Sequence, residues 1–154
     1  MPAFIGDIKG KVDTKGRVVV PSAFVKKMDA KDAGKFVIKK DIFANCLVLY
    51  PMSEWERQVD VISRNINPYN RQHNLFMRQF FKDAVEVEMD SLNRILIPKN
   101  MLVDVDIKKD IVFIGEVNKI EMWNPDALNQ SSISQEDFAK LAEDIFKKLD
   151  KNDE

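Results

Sequence analysis

The sequence has one cysteine and one histidine, and this scarcity excludes several kinds of site. Cys46 cannot form an internal disulfide, and it lies in an apolar run, so we expect a small core residue in a reducing, cytosolic protein. His73 has no cysteine or second histidine near it, so the sequence predicts no metal site. The chain also lacks a glycine-rich phosphate loop, a serine elbow and a Ser/His/Asp set, so no motif indicates an enzyme.

Long apolar runs and an excess of one charge are also missing. The sequence therefore predicts no signal peptide, no membrane span and no contact with a membrane. A formal net charge of -1, with 32% charged residues, excludes a polycation and weakens nucleic acid as a default partner. A local basic patch is still compatible with that balance. With 154 residues, 45% of them hydrophobic, the chain can form one domain, or two small repeats that share a core.

An internal repeat is the strongest feature that the sequence does contain. The stretch from Asp13 to Pro21 reads DTKGRVVVP, and it recurs 77 positions later as DSLNRILIP. Gly16 can adopt a positive φ in the turn of the first copy, and Asn93 stands at the same position in the second. The agreement in backbone requirement supports a duplication, which has to be settled before any other statement about the fold.

Each copy is predicted to run strand, turn, strand, short helix, strand, turn, strand. The first copy has a β-hairpin over residues 5–21, a helix over 22–28 and strands over 35–39 and 47–50. In the second copy the last two strands cover 111–115 and 119–123. Along a strand before the second turn, Glu86 and Glu88 alternate, which favours a solvated strand face over an acid/base pair.

Two helical segments lie outside the duplicated units. Residues 52–81 are predicted to form two helices, because Pro68 breaks the pattern near residues 65–68. A C-terminal helix begins at Ser134 and has an apolar stripe through Leu149, whereas residues 150–154 are expected to fray. Such a stripe usually packs on its own chain, and docking on another subunit is the alternative. The predicted fold class is α+β, with a duplicated β core and added helices.

The first copy also has a local cluster of positive charge. Between Lys9 and Lys27 there is one acidic residue, Asp13, among the cations Lys9, Lys11, Lys15, Arg17, Lys26 and Lys27. Asp13 could orient the Arg17 guanidinium through a bidentate pair, ready for a phosphate or a guanine edge. The alternative is an exposed ion pair that contributes little and has no role in binding. The charge pattern alone slightly favours this alternative.

The repeated Asp-x-x-x-Arg motif, followed each time by an apolar triplet and proline, resembles the MraZ family of bacterial transcriptional regulators. Further matches are Phe4-Ile5-Gly6, Leu49-Tyr50-Pro51-Met52 with Glu54-Trp55, Arg78-Gln79-Phe80-Phe81 and Ile120-Glu121-Met122-Trp123. The resemblance implies tandem AbrB-like (SpoVT-AbrB) swapped-hairpin β units that form an intrachain pseudo-dimer. Its implied segments are repeat 1 over 7–54, a helical connector over 55–82, repeat 2 over 83–126 and the C-terminal helix over 134–149.

The resemblance also implies a function. Family members assemble into rings and bind direct-repeat promoter boxes in double-stranded DNA upstream of the division and cell-wall gene cluster, where they act as repressors. A cytoplasmic, nucleoid-associated protein without a cofactor is therefore expected. Two other classes stay open: a protein-interaction or antitoxin-like module of the same fold, and an enzyme, which would need a pocket that the sequence does not indicate.

Carried over by residue, the resemblance assigns different roles to the two copies. The expected DNA-binding residues are Arg17 and Lys15, with Asp13 as the orienting partner and Lys9 and Lys11 nearby. In the second copy, leucine and asparagine replace Lys15 and Gly16. We therefore expect Asp90 and Arg94 to be structural or to lie between subunits.

Overall fold

The computed structural model describes residues 3–152, which form an α+β protein. Its strands are β1 (Phe4–Lys11), β2 (Arg17–Val19), β3 (Lys35–Lys40), β4 (Leu47–Pro51), β5 (Val85–Glu88), β6 (Arg94–Leu96), β7 (Asp110–Val117) and β8 (Lys119–Trp123). Its α-helices are α1 (Ser22–Val25), α2 (Met52–Arg64), α3 (Arg71–Phe81), α4 (Lys99–Asp104), α5 (Pro125–Ser131) and α6 (Gln135–Asn152).

The strands form a six-stranded antiparallel sheet and a separate two-stranded ribbon. The sheet has the order β1-β7-β8-β4-β3-β5, and the ribbon pairs β2 with β6. Exchanging β1 with β5, β3 with β7 and β4 with β8 leaves this order unchanged when it is read backward. The two copies of the repeat therefore occupy equivalent places on either side of the β4–β8 pair.

The predicted β-hairpin over residues 5–21 is wrong in its strand pairing. The first strand, β1, pairs along its whole length with β7, and β2 pairs with β6, so both partners come from the other copy. The turn between β1 and β2 does form: the N–H of Asp13 donates to the carbonyl of Arg17 (2.9 Å). Gly16 and Asn93 both have a positive φ, as predicted. Alternating apolar residues specify a strand but not its partner, which is why the pairing was missed.

The core lies where the ribbon and the short helices meet the sheet. Val18 and Val20 point inward, as do their counterparts Ile95 and Ile97. The middle residues of the two triplets, Val19 and Leu96, are exposed, because successive side chains of a strand point to opposite faces. Two of the three side chains of each triplet therefore lie in the core, and the middle one lies at the surface.

The helices agree with the sequence in position but not always in length. The break between α2 and α3 lies where Pro68 predicts it, but α1 ends at Val25 instead of residue 28. Helix α5 was not predicted. Ser134 caps α6 by accepting a hydrogen bond from the N–H of Asp137 (3.1 Å).

Helix α6 continues through Asn152, beyond the predicted end at residue 149. Residues 153 and 154 lie outside the described residues. Within residues 3–152, no helix combines the length and the apolar character needed to cross a membrane.

Candidate nucleic-acid interface

The first turn is organised by one carboxylate. Oδ1 of Asp13 accepts hydrogen bonds from the backbone N–H groups of Lys15 and Arg17, both at 2.9 Å. Oδ2 accepts a hydrogen bond from Nε of Arg17 at 2.8 Å. The same side chain thus closes the turn and orients the arginine beside it.

The Asp13–Arg17 ion pair uses one guanidinium nitrogen, so the expected bidentate pair is not observed. Nε makes the contact, and the two terminal nitrogens form no hydrogen bond with the aspartate. They have no protein partner among the residues that the structure describes. The arginine side chain is about one-third exposed. This geometry leaves the fork of terminal N–H donors available for an oxygen-rich ligand.

The second turn repeats this geometry. Oδ1 of Asp90 accepts from the N–H groups of Leu92 and Arg94 at 2.9 Å, and Oδ2 accepts from Nε of Arg94 at 2.8 Å. The Asp90–Arg94 pair is exposed to a similar extent as the pair in the first turn. The two motifs therefore differ in their surroundings, not in their internal hydrogen bonds.

Hydrogen bonding lowers the pKa of both aspartates. The backbone N–H of Arg17 is the largest cause for Asp13, and the Arg17 side chain and the N–H of Lys15 add to it. In the second turn, the backbone N–H of Arg94 is the largest cause for Asp90. Both carboxylates therefore stay ionised at neutral pH, as a stable hold on each arginine requires.

Both arginines lie on one face of the β2–β6 ribbon. In its register Arg17 is opposite Leu96, and Val19 is opposite Arg94. Because side chains two residues apart share a face, these four side chains form one outward surface. Sequence reasoning treated the two motifs as separate, since nothing local shows that β2 and β6 pair.

Lysines from the second copy lie beside the first turn. A shallow depression of about 710 Å³ is lined by Lys11, Asp13 and Gly16 from the first copy. From the second copy it is lined by Lys99, Lys108 and Lys109, among others. Sequence reasoning missed these three lysines, because only the exchange of strands brings them to residues between 83 and 98 positions away.

The repeat identifies the residues that occupy, around the second turn, the positions that these three lysines occupy around the first. The N–H of Val12 donates to the carbonyl of Lys109, and the N–H of Met89 donates to that of Gly34. Lys109 thus corresponds to Gly34, Lys108 to Ala33 and, at the offset of the motif, Lys99 to Ser22. Lysines therefore lie around the first turn where glycine, alanine and serine lie around the second. The sequence contains this difference, but it can be recognised only when the strand pairing is known.

The first strands of the two copies carry opposite charges. Lys9 and Lys11 of β1 are exposed, and the residues 77 positions later are Glu86 and Glu88 of β5, which are also exposed. Lys11 forms an ion pair with Asp110, and in the second copy Glu88 lies opposite Lys35 with the charges reversed. Two cations work against the contrast, because Lys26 and Lys27 of the first copy stand where the second copy has Val103 and Asp104. The positive character is nevertheless concentrated around the first turn.

A possible metal-binding cluster lies elsewhere in the fold. One ligand atom from each of Asp41, Cys46 and Glu121 lies within 4.8 Å of the others. Burial raises the pKa of the Cys46 thiol, with Glu121 and Asp41 adding to the effect, so the thiol is protonated. Nε1 of Trp123 donates to Glu121 at 2.9 Å. A protonated thiol and an occupied carboxylate make a weak ligand set.

Comparison with known proteins gives a consistent result along the chain. The family model described as "MraZ protein, putative antitoxin-like" matches residues 3–75 and 80–149. A protein named transcriptional regulator MraZ from Bacteroides thetaiotaomicron is 39% identical over 153 residues, covering 99% of this chain and 98% of its own. Proteins of the same name from Christiangramia forsetii and Pediococcus pentosaceus are 41% and 32% identical, over 92% and 93% of this chain and 92% and 96% of theirs. The chain belongs to the MraZ family.

Proposed function

We propose that this protein is a sequence-specific, DNA-binding transcriptional regulator that represses the division and cell-wall gene cluster. It binds direct-repeat boxes in the promoter DNA as a ring-shaped homo-oligomer. The names of its relatives support transcriptional regulation. The observation that carries DNA binding is the arginine-bearing turn with a rim of lysines contributed by both copies of the repeat.

Each residue of this surface has a chemical role in the proposal. Arg17 presents its terminal N–H donors to a phosphate or to the O6 and N7 acceptors of guanine. Lys15, Lys9 and Lys11 contact phosphates, which contributes affinity without sequence preference. Asp13 orients the arginine before DNA arrives, so less conformational freedom is lost on binding.

The second motif has a different proposed role. Asp90 holds its own turn through two backbone N–H groups, and Arg94 has no neighbouring equivalent of Lys15. Glu86 and Glu88 on the adjacent strand would repel a phosphate backbone. We therefore assign Asp90 and Arg94 to the structure of the turn or to a contact between subunits, although Arg94 shares the ribbon face with Arg17.

In this proposal the exchanged strands form an AbrB-like swapped-hairpin pseudo-dimer. The SpoVT-AbrB repeats cover 7–54 and 83–126, with the connector over 55–82 and the C-terminal helix over 134–149. Several first turns on one ring meet successive boxes of a duplex, and their linkage converts weak single contacts into high affinity. The protein then works in the cytoplasm on the nucleoid.

Footprinting of the DNA upstream of the protein's own gene tests the proposal. Wild-type protein is expected to protect a series of short direct repeats and to ignore unrelated DNA of equal length. Equal protection of both fragments at physiological salt would contradict sequence-specific binding. The Arg17→Ala variant is expected to give no footprint at concentrations that saturate the wild type.

A second candidate is a protein-interaction or antitoxin-like module. The description of the family model uses the word antitoxin-like, and α6 exposes an apolar stripe that is suited to a protein partner. The footprint separates the two, because a module that acts only on proteins leaves the repeats unprotected.

A further inference from the structure

Two apolar side chains are neighbours of Arg17 on the outward face of the β2–β6 ribbon. Leu96 lies opposite Arg17 in the register, and Val19 lies two residues further along β2, on the same face. Val19 is 57% exposed and Leu96 is 55% exposed. The surface that presents the arginine is therefore partly apolar, and contacts with phosphates do not account for that.

The backbone hydrogen bonds of the ribbon place Leu96 close to Arg17. The N–H of Ile97 donates to the carbonyl of Gly16 at 2.9 Å. In an antiparallel pair of strands, this bond flanks a pair of residues that are not hydrogen-bonded to each other, which here is Arg17 and Leu96. The Cβ atoms of such a pair are about 4.5–5.5 Å apart. A ligand group that reaches the guanidinium of Arg17 therefore also comes near Leu96.

Charge and continuity favour DNA as the partner of this face. Its charged members are Arg17 and Arg94, and the depression beside the first turn is lined by lysines from both copies. A polyanion fits such a surface better than a partner of mixed charge. Because an apolar side chain gains nothing from a phosphate oxygen, its favourable contact on DNA is with a base.

The dimensions of the ribbon indicate which groove supplies that base. The major groove is about 12 Å wide and admits a two-stranded ribbon, whereas the minor groove is about 6 Å wide. In the major groove, guanine presents O6 and N7 to an arginine fork, and thymine presents an apolar group, its 5-methyl. A face that combines arginine with exposed valine and leucine is thus matched to guanine and thymine together.

We propose that Leu96 and Val19 recognise thymine through its 5-methyl group, beside the guanine that Arg17 contacts. The inference rests on the proposed function and adds a second kind of base recognition to it. Leu96 comes from the second copy of the repeat and Arg17 from the first, so both copies contribute to one reading surface. Leu96 and Val19 are diagonal neighbours, about 7–8 Å apart, and therefore contact different base pairs.

Replacing thymine by deoxyuridine in the footprinted box tests the methyl contact. Deoxyuridine keeps the base pair and the O4 acceptor and lacks only the methyl group. Burying one methyl group corresponds to about a fourfold gain in affinity. In anisotropy titrations with a one-box fragment, wild-type protein is expected to bind about fourfold more weakly when a contacted thymine is replaced. Thymines outside the box are internal controls, and replacing them is expected to change nothing.

Variants of the ribbon identify the side chain that senses the methyl group. Leu96→Ala is expected to bind the thymine and uracil forms equally well at the position that Leu96 contacts. Leu75→Ala is the matched control, because it removes a leucine that is 59% exposed from α3. This control is expected to keep the fourfold difference. Val19→Ala is expected to abolish the difference at another thymine and to keep it at the first.

The comparison of two DNA forms on one protein sample separates methyl recognition from a general loss of binding. A box without thymine, or wild-type affinity for every uracil form, would overturn the inference, and a specific footprint would then leave the proposed function standing. A uracil effect that persists in both Leu96→Ala and Val19→Ala would also overturn it, because another residue would sense the methyl group.

Light scattering on the same samples tests the other use of this face. A lower mass for Leu96→Ala, without any uracil effect in the wild type, would show that the face lies between copies of the chain and would overturn the inference. If the wild type gives no specific footprint at all, the proposed function is wrong, and methyl recognition is wrong with it.

Discussion

At the scale of single residues, the two carboxylate oxygens of Asp13 have different roles. One accepts the backbone N–H groups that close the turn, and the other holds Nε of Arg17. The arginine is therefore directed by the turn instead of by a distant partner. Its terminal nitrogens, not its charge alone, are the feature that the proposed function uses.

Replacing Arg17 by lysine tests this distinction. The variant keeps the positive charge but loses the planar fork, so we expect weak binding to any DNA to persist while preference for the box falls. One lost bidentate contact to guanine corresponds to about 1–3 kcal/mol, or about 5- to 150-fold in affinity. Competition titrations of box DNA against unrelated DNA measure the effect. An unchanged preference would mean that Arg17 reads no base.

Gly16 and Asn93 occupy equivalent turn positions but tolerate substitution differently. Gly16 has φ +90°, and a Cβ there would lie 2.9 Å from the carbonyl oxygen of Ile97. Asn93, with φ 60°, is in the ordinary left-handed region. We expect Gly16→Asn to reduce the free energy of unfolding by about 1–3 kcal/mol, and Asn93→Gly to change it little. Urea denaturation checks both, and equal stabilities for the two variants would contradict the geometry.

At the scale of elements, the proposed function implies that the opposite charges of β1 and β5 decide which side of the molecule meets DNA. Each phosphate neutralised by a lysine contributes a slope of about -0.9 to the plot of log affinity against log salt. Lys9→Gln with Lys11→Gln should make this slope less steep by up to about 2 for each bound subunit. Lys35→Gln, which lies beside β5, is the control and should leave it unchanged. If the slope changes only in the Lys35→Gln variant, the DNA contacts the β5 side of the molecule, which would contradict the proposal.

The β7–β8 hairpin contains a carboxyl group with a displaced pKa. Burial, and next the neighbouring Glu121, raise the pKa of Glu116 to about 7. The folded protein then binds a proton between pH 4.5 and 7 that the unfolded chain releases, so this group makes the protein less stable as pH rises through that range. Glu116→Gln should flatten this part of the stability profile. Denaturation at several pH values measures it, and a wild-type profile in the variant would refute the assignment.

Local features were predictable from the sequence to the extent that they depend on nearby residues. The turns around Gly16 and Asn93, the break before α3 and the start of α6 at Ser134 follow from short-range chemistry, and all are observed. The partner of β1 was not predictable, because a hairpin and an exchanged pair satisfy the same alternation of apolar residues. The missed contribution of Lys99, Lys108 and Lys109 follows from the same cause.

Helix α6 shows a second limit of what the sequence can predict. Its period of apolar residues predicts an amphipathic helix correctly, yet the expectation that it packs on its own chain is wrong, since the stripe is exposed. A periodic pattern states that a face needs cover and does not state which surface supplies it.

At the scale of the whole molecule, the fold repeats itself but its charges do not. The backbone hydrogen bonds around the two turns match one another, whereas lysines surround the first turn and glutamates accompany the second. A symmetric scaffold with one positive side is suited to an assembly that faces DNA with that side alone. We therefore propose that the two Asp-x-x-x-Arg motifs have diverged in function on a shared ribbon.

The most direct test measures Arg17→Ala and Arg94→Ala side by side. Fluorescence anisotropy with a labelled box gives DNA affinity, and light scattering on the same preparations gives the mass of the assembly. Arg17→Ala is expected to lose specific binding at wild-type mass, whereas Arg94→Ala is expected to lower the mass more than it weakens binding to a single box. Wild-type affinity in Arg17→Ala, or lost binding at full mass in Arg94→Ala, would contradict the account.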